Sequence, residues 1–567
     1  MKPGFVIVAL QLSFFTGTVA QNLISPLWKI SFTDTSGPIR HQTNISDWKD
    51  VNLLLSWERQ GYFWNDGAGS IVKDFTIPEG LADSQLVFSV SLQCDVKSIY
   101  INDTFIGGNL PNQFWTHRGA TAEFPVASNC LHRGKQNRIS IVLSNLSYTG
   151  GRSYNHCSLA PAGAKSHSEV LIEIPAKDHL FSVEDRNSFS IKYIAIHSGT
   201  IELTVVNDFH DPFVQKEYEV EEGTGVIRFD CAGFGTQSGF YECFVVMNDG
   251  GYSSDVRWFA LSPESIDCTN NTTPRFKEYW GDAIAALGKV NPEFNVTRVE
   301  SLCTAGRDGY IAEMKSFGGL TIRGYYFVPK TPGRHAAVLH VPGYGYGWQH
   351  LGVFLESRED VVELALCVRG HGISADVFNP GFGVPGVWGY RLCSEIENAY
   401  RAIYLDCVRA VEFLAARPEV DASRIGVMGG SQGGGLALAT AGLCKDKIKA
   451  CSYFDPFPCD TRDHLKIRTM CNTEIRNYLK FYDNECSFED ALHVQDLIDT
   501  KGFAGWIRCP VFFLTSLFDD DSPPHLGFSA YNKISAPKRF KIFPEDSHLN
   551  ENVFGEQMQF LKSELGF

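Results

Sequence analysis

Gly429-Gly430-Ser431-Gln432-Gly433-Gly434 lies between the apolar run Arg424-Ile425-Gly426-Val427-Met428 and an Ala-rich stretch from Leu436 to Leu443. A short apolar run closed by glycines reads as a buried strand, and the Ala-rich stretch as a helix packed on it. The G-x-S-x-G pattern at such a strand-to-helix turn is a nucleophile elbow. Its glycines permit unusual backbone angles and close helix approach, which leaves the serine at the tip. Ser431 is therefore the candidate attacking oxygen. The backbone N–H of Gln432, at the positive end of the new helix, is placed to face charge developing on an attacked carbonyl oxygen.

A serine hydroxyl is a weak nucleophile at neutral pH, so it needs a histidine base and an acid that orients it. Behind an elbow of this kind they follow the serine as acid, then histidine. The run Pro510-Val511-Phe512-Phe513-Leu514 reads as a buried strand, and beyond it come Asp519-Asp520-Asp521, each offering a carboxylate. A further strand, Arg539-Phe540-Lys541-Ile542-Phe543, runs through Pro544-Glu545-Asp546-Ser547 into His548. A base in that loop is expected to titrate within about a unit of the imidazole reference value near 6.5.

From about Pro274 to its end the chain resembles the acetyl xylan esterase and cephalosporin C deacetylase family of α/β-hydrolases. The likeness lies in the elbow, the late His548, Arg369-Gly370-His371-Gly372, Phe276-Lys277-Glu278-Tyr279-Trp280, the stretch from Gly318 to Gly324, Tyr404 to Leu414, and Pro523-Pro524. It implies an α/β-hydrolase domain over 270–567, with Ser431 as nucleophile, Asp519 rather than Asp520 or Asp521 as acid, and His548 as base. It further implies an oxyanion hole made by the backbone N–H groups of Gln432 and of Tyr344, in Val341-Pro342-Gly343-Tyr344-Gly345. By the same likeness the aromatic side chains of Tyr344, Tyr346 and Trp348 crowd the acyl side of Ser431. Three positions depart from the family pattern. His371 stands where glutamine is expected, Pro342 replaces a histidine, and Leu549 replaces the acid after His548. A glutamine amide donates and accepts at once, whereas neutral imidazole has one donor and one acceptor. His371 is accordingly read as bracing its loop, with a changed substrate pocket as the alternative.

With 567 residues, 44% hydrophobic and 20% charged, the chain has the composition of a packed protein of two or three domains. A net charge of −15 with no basic run argues against nucleic acid as a partner. Lys2, the apolar stretch from Phe5 to Phe15 and Thr18-Val19-Ala20 read as a signal peptide over 1–20, too short for a membrane anchor, so a secreted, extracellular product is expected. Sequons at Asn44, Asn102, Asn145, Asn270, Asn271 and Asn295 fit glycosylation. The 16 cysteines fit disulfides in an oxidising compartment, with pairing left open and no zinc-ligand spacing. Cys459, in Asp455-Pro456-Phe457-Pro458-Cys459-Asp460, is read as a disulfide or packing residue.

Between leader and hydrolase the patterns are those of strands. Leu86 to Leu92, Ser98 to Ile101 and Arg138 to Leu143 read as strands, with turns at Asn102-Asp103 and Gly107-Gly108. The 21–175 segment resembles a galactose-binding-type jelly roll in Trp57-Glu58-Arg59-Gln60-Gly61-Tyr62, Phe75-Thr76-Ile77-Pro78 and the stretch from Ile99 to Gly107. The 176–265 segment, alternating in Phe189 to Ile194, Thr200 to Val206 and Tyr241 to Val246, fits an immunoglobulin-like sandwich in which Cys231 and Cys243 are candidates to pair. A polar, proline-bearing linker runs from Ser262 to Pro274. The expected fold is thus all-β followed by α/β-hydrolase.

The expected function is that of a serine esterase removing small acyl groups, foremost acetyl, from a small-molecule or oligosaccharide ester. Neither metal nor organic cofactor is implied, and the sequence leaves the oligomeric state open. A prolyl-oligopeptidase-type exopeptidase shares the elbow and a β-rich N-terminal half, but no propeller repeat is visible. Acyl-CoA thioesterases and acyltransferases that join a sandwich to this fold typically use cysteine where this chain has Ser431. An inactive hydrolase-like binding protein would ordinarily lack a triad member.

Overall fold

The structure, a computed structural model, describes residues 22–567 apart from 34–36, 41, 54–59, 61–67, 82, 93, 111–121, 145–155, 163–167, 184–187, 231–236, 251, 268–272, 346, 349–350, 356–359, 380–387, 468–469 and 549. The leader, Trp57-Glu58-Arg59, Gly61-Tyr62, Cys231, the sequons at Asn145, Asn270 and Asn271, Tyr346 and Leu549 lie outside the described residues.

Strands covered on both faces read as continuous apolar runs. That is the character of His335–His340, Val361–Cys367, Ile448–Phe454 and Val511–Ser516, which lie in a nine-stranded sheet. Its spatial order is Asn295–Arg298, Arg307–Lys315, Thr321–Pro329, Val361–Cys367, His335–His340, Val420–Gly430, Ile448–Phe454, Val511–Ser516 and Lys538–Phe543. The first three strands are antiparallel; from Val361–Cys367 onward all neighbours are parallel. Alternate residues divide between two cores. Leu339, Val427, Cys451 and Phe513 pack with the helices Phe276–Gly288, Ala399–Ala416 and Gln432–Leu443, whereas Val338, Met428, Ala450 and Phe512 pack with Asn552–Leu565 on the other face. This is an α/β-hydrolase-type fold. Strand order reverses around His335–His340, so the carboxyl ends of His335–His340 and Val420–Gly430 open on the crevice where open α/β sheets bind ligands.

The N-terminal half is built of sheets that are antiparallel apart from one pair, Leu180–Phe181 running parallel to Tyr252–Leu261. Lys49–Asn52, Leu27–Ser31, Ala68–Thr76, Gln136–Ser144, Asp95–Ile101 and Thr104–Leu110 form one sheet, and Ala122–Val126, Leu86–Ser91 and His156–Pro161 another. Trp28, Ile71, Phe88, Ile99 and Ile141 join a single core there. Glu169–Glu173, Ser188–Ala195 and Gly223–Asp230 form a third sheet against a fourth made of Leu180–Phe181, Tyr252–Leu261, Gly239–Asn248, Gly199–Asn207 and Pro212–Val220. This second unit merges with the hydrolase. Phe240, Phe244, Val256 and Trp258 belong to the same core as Trp280 and Phe528, and Asp208 Oδ2 lies 2.8 Å from His525 Nδ1.

Three expectations change. Gly107-Gly108 is not a turn but part of the strand Thr104–Leu110, and a Cβ on Gly107 would lie 2.1 Å from the Phe124 ring, so close packing rather than chain reversal requires the glycine. The strand Glu169–Glu173 precedes the expected boundary at 175 yet pairs with Ser188–Ala195, because Val170 and Ile172 bury into the second unit's core. The Asn102 sequon is occupied by the fold itself. Its amide donates to Cys130 O and Asn137 Oδ1, and its Oδ1 accepts from Arg138 N–H; Asn44 and Asn295 are exposed.

Candidate active site

Val420–Gly430 turns into Gln432–Leu443 through Ser431 alone, which sits at φ 57° and ψ −125°. For a non-glycine residue this is strained backbone, tolerated where surrounding hydrogen bonds over-determine it. Here Ser431 N–H donates to Phe454 O at 2.9 Å, and Ser431 O accepts from Gly435 N–H at 3.1 Å and Phe457 N–H at 2.9 Å. A Cβ on Gly433 would lie 2.6 Å from Val341 O, so glycine there lets the helix start press against the 341–345 loop.

The strand ends next to Ser431 carry the acids and the base. His548 Nδ1 lies 2.6 Å from Asp519 Oδ2, and the Phe454 ring packs beside the imidazole. Of the three consecutive aspartates, Asp519 holds this nitrogen. Its Oδ1 accepts from Asp521 N–H at 2.9 Å and Ser522 N–H at 2.8 Å, which fixes the carboxylate. Asp521 Oδ2 lies 3.9 Å from His548 Nε2. Burial disfavours a charged imidazole, but the charge and hydrogen bond of Asp519, with the charge of Asp521, outweigh it and push His548 up to about 9. That exceeds the expected window around 6.5, because both carboxylates act in a low-dielectric setting.

One buried carboxyl beside the candidate acid escaped the sequence reading. Asp455, directly after Ile448–Phe454, is fully buried at φ 33°. Its carboxyl accepts from Thr515 Oγ1 at 2.5 Å and from Ser516 N–H at 3.1 Å, and is hydrogen-bonded to Asp519. Two adjacent buried carboxyls do not both ionise. Burial and the Asp519 charge hold Asp455 well above the usual carboxylate range. Burial opposes ionisation of Asp519 as well, yet His548 and the Asp455 hydrogen bond bring it below its ordinary value. The signal available in sequence was an acid ending an apolar strand, the same signal that marked Asp519.

On the other side of Ser431 the groups are neutral dipoles. Gln432 is buried at the helix start. Its Oε1 accepts from Tyr400 O–H at 2.7 Å, while Nε2 donates to Gly343 O at 3.1 Å and Pro342 O at 3.3 Å and faces His371 Nε2 at 3.1 Å. Tyr344 follows directly, its ring against Phe457 and its hydroxyl accepting from Trp388 N–H at 3.2 Å. Trp348 does not share that surface. Its N–H goes to Leu366 O at 2.8 Å and its ring packs on Phe354, so a buried carbonyl and the core claim it. Arg369 pins the 369–372 loop to helix Ala399–Ala416, with Nε 2.9 Å and Nη2 2.7 Å from the two Asp406 oxygens.

Two groupings have metal-ligand proximity among the described residues. Cys393 and Cys486 of the first form a disulfide. In the second, Asp460, Asp463 and His525, positive charge comes from within. Lys501 Nζ lies 2.7 Å from Asp460 Oδ1, and Asp208 and Asp463 flank His525. Cys459 is a buried thiol whose Sγ donates to Leu526 O, a packing role. Among the described residues no helix is long and apolar enough to cross a membrane.

Residues 265–564 match the family described as Acetyl xylan esterase (AXE1). The chain is similar to acetyl esterase Axe7A of Xylanibacter ruminicola, at 25% identity over 328 residues that span 56% of this chain and 73% of the relative. Among solved structures it is similar to acetyl xylan esterase 1 from Thermoanaerobacterium sp. JW/SL YS485, with 28% identity, TM-score 0.47 and coverage of 52% of this chain and 95% of that one. It is also similar to the acetyl xylan esterase from Paenibacillus sp. R4, with 29% identity, TM-score 0.48 and coverage of 52% and 96%.

Proposed function

The chain belongs to the acetyl xylan esterase family and is a carboxylic ester hydrolase of the serine type, and from that premise we propose that it removes acetyl groups from hydroxyls of a carbohydrate or similar polyol by means of Ser431, His548 and Asp519. The observation that carries this reading is the 2.6 Å hydrogen bond between His548 Nδ1 and Asp519 Oδ2, on the strand ends beside the strained Ser431 turn. That bond places the imidazole proton on Nδ1 and leaves Nε2 to take the serine proton.

In the proposed cycle Ser431 Oγ attacks the ester carbonyl as His548 Nε2 accepts its proton. Backbone N–H groups of Tyr344 and Gln432 receive the developing oxyanion. His548 then protonates the leaving alcohol, and water attacks the acetyl-enzyme by the same route in reverse. Asp519 holds the tautomer and balances the imidazolium. The N-terminal sheets are proposed to be a jelly roll and an immunoglobulin-like sandwich at the front of a secreted product.

The test is kcat/KM for one alcohol esterified with acetyl, butyryl and octanoyl groups. Acetyl should react fastest, since each methylene that a small pocket cannot accept costs about 1–3 kcal/mol of discrimination. A rise with chain length would favour a lipid-ester hydrolase instead.

A further inference from the structure

His371 is fully buried, and its two nitrogens have different neighbours. Nδ1 lies 3.2 Å from Arg369 O, and Nε2 lies 3.1 Å from Gln432 Nε2. The orientation of the Gln432 amide is settled by its other contacts. Only an N–H group is compatible with the carbonyls of Pro342 and Gly343, and only an oxygen accepts the Tyr400 hydroxyl hydrogen. The glutamine therefore presents N–H to His371, and His371 must present a lone pair at Nε2. Its single proton then sits on Nδ1, donated to Arg369 O.

We propose that His371 is a positioning residue for the oxyanion hole, an acceptor that holds the Gln432 amide in place, and that a proton on its Nε2 releases Gln432 from the Pro342-Gly343 segment that presents Tyr344. The inference rests on the reading of Ser431 as nucleophile and of the Tyr344 and Gln432 N–H groups as oxyanion donors. Protonation would set two donors against each other at 3.1 Å. Turning the amide over gives no relief, because Oε1 would then face two carbonyl oxygens. The charged and titratable groups around His371 are the Arg369 guanidinium, the Asp406 carboxylate that this guanidinium already engages, and the Tyr400 phenol beyond Gln432. Burial lowers the His371 pKa, against the smaller opposing pulls of Arg369 O and Asp406. The imidazole is thus neutral at neutral pH and gains its proton on the acid side, well apart from His548. A glutamine at this position would make the same contact with no titration at all.

The experiment follows kcat and KM for an acetyl ester across acid to alkaline pH in the wild type, His371→Gln and His371→Leu, with a fluorophosphonate used to label the nucleophile. In the wild type log kcat/KM should fall with unit slope below the His548 transition and more steeply, toward a slope of two, across the interval in which His371 protonates. His371→Gln should retain kcat within about threefold at alkaline pH and keep unit slope throughout, since its amide can accept as the imidazole does. His371→Leu should lose about 10- to 100-fold in kcat with little change in KM, as expected when an oxyanion donor is loosened rather than a substrate contact removed. A leucine variant with wild-type kcat, or a glutamine variant with the same two-step acid limb, overturns the proposal. If the leucine variant does not fold, the slopes of the wild type and glutamine enzymes decide alone. Labelling that misses Ser431 overturns the functional reading beneath the inference, whereas labelling at Ser431 with unaltered slopes overturns only the inference.

Discussion

The two sides of Ser431 are built from opposite materials. Toward Ile448–Phe454 and Val511–Ser516 lie ionisable groups stacked close together, Asp455 on Asp519 on His548. Toward His335–His340 lie neutral dipoles, the amide of Gln432, the carbonyls of Pro342 and Gly343, the Tyr400 hydroxyl and an uncharged His371. Each side holds a histidine, His371 fully buried and His548 largely so, and burial alone lowers an imidazole pKa. Asp519 raises His548 to about 9, while His371, whose hydrogen-bonding neighbours are a carbonyl and an amide, stays below its ordinary value. The immediate partner, not depth, decides which histidine carries charge.

The strongest way to break the comparison is to remove the atom between the two sides. Ser431→Ala should lower kcat by about 10⁴-fold or more with the fold intact, leaving the rate that binding and oxyanion stabilisation supply. Substantial turnover by a folded alanine enzyme would move the site elsewhere. Next comes the identity of the acid. Asp519→Asn should cost about 10³-fold or more in kcat, because an amide cannot hold the imidazole tautomer or balance its charge. Asp520→Asn and Asp521→Asn should cost less than about tenfold, and equal losses across the three would contradict the assigned roles.

A pH titration sharpens the contrast. His548 must be neutral to take the serine proton, and its pKa is raised, so kcat/KM should climb with pH through about 9 and an alkaline optimum follows. Asp521→Asn should move that limb to lower pH, since a raising charge is removed. An optimum in mildly acidic solution would refute the charged side as described.

The smallest effect on turnover is expected away from the crevice, where Asp208 of the second β unit meets His525 of the hydrolase. Burial opposes the His525 charge, but Asp208, helped by Asp463 and Asp460, pushes its pKa to about 10. A raised histidine pKa gives stabilisation that is fully present below about 6.5 and disappears as pH rises through about 10. Breaking a buried pair by removing one partner costs about 3–5 kcal/mol. Thermal melts of Asp208→Asn should therefore show a Tm several degrees lower at neutral pH, with the deficit shrinking above pH 10 and kcat nearly unchanged. A deficit independent of pH would mean the pair matters through packing only.

Much of the crevice was legible as a line of residues. The strand ending at Gly430, the apolar run before Asp519 and the run before His548 each announced themselves by hydrophobic pattern, and the strands Val420–Gly430, Val511–Ser516 and Lys538–Phe543 contain them. Asp455 followed the same rule and was passed over, because a carboxyl's importance there depends on another carboxyl 64 positions later in the chain, counting from 455 to 519. Gly107-Gly108 misled for a related reason. Glycine pairs signal turns by backbone freedom, but here a ring from a distant strand needs the space.

Sequence by itself determined the classes of element, the serine on its elbow, the order of acid and base, and the family. Those are local or collinear properties, set by side-chain period, by backbone freedom at glycine and by short motifs. Tertiary structure alone decided that Asp455 is buried beside Asp519, that Trp348 turns into the core, and that the Gln432 amide faces His371. Each of these depends on distances across neighbouring strands and on the low dielectric they enclose, and neither quantity is written along the chain.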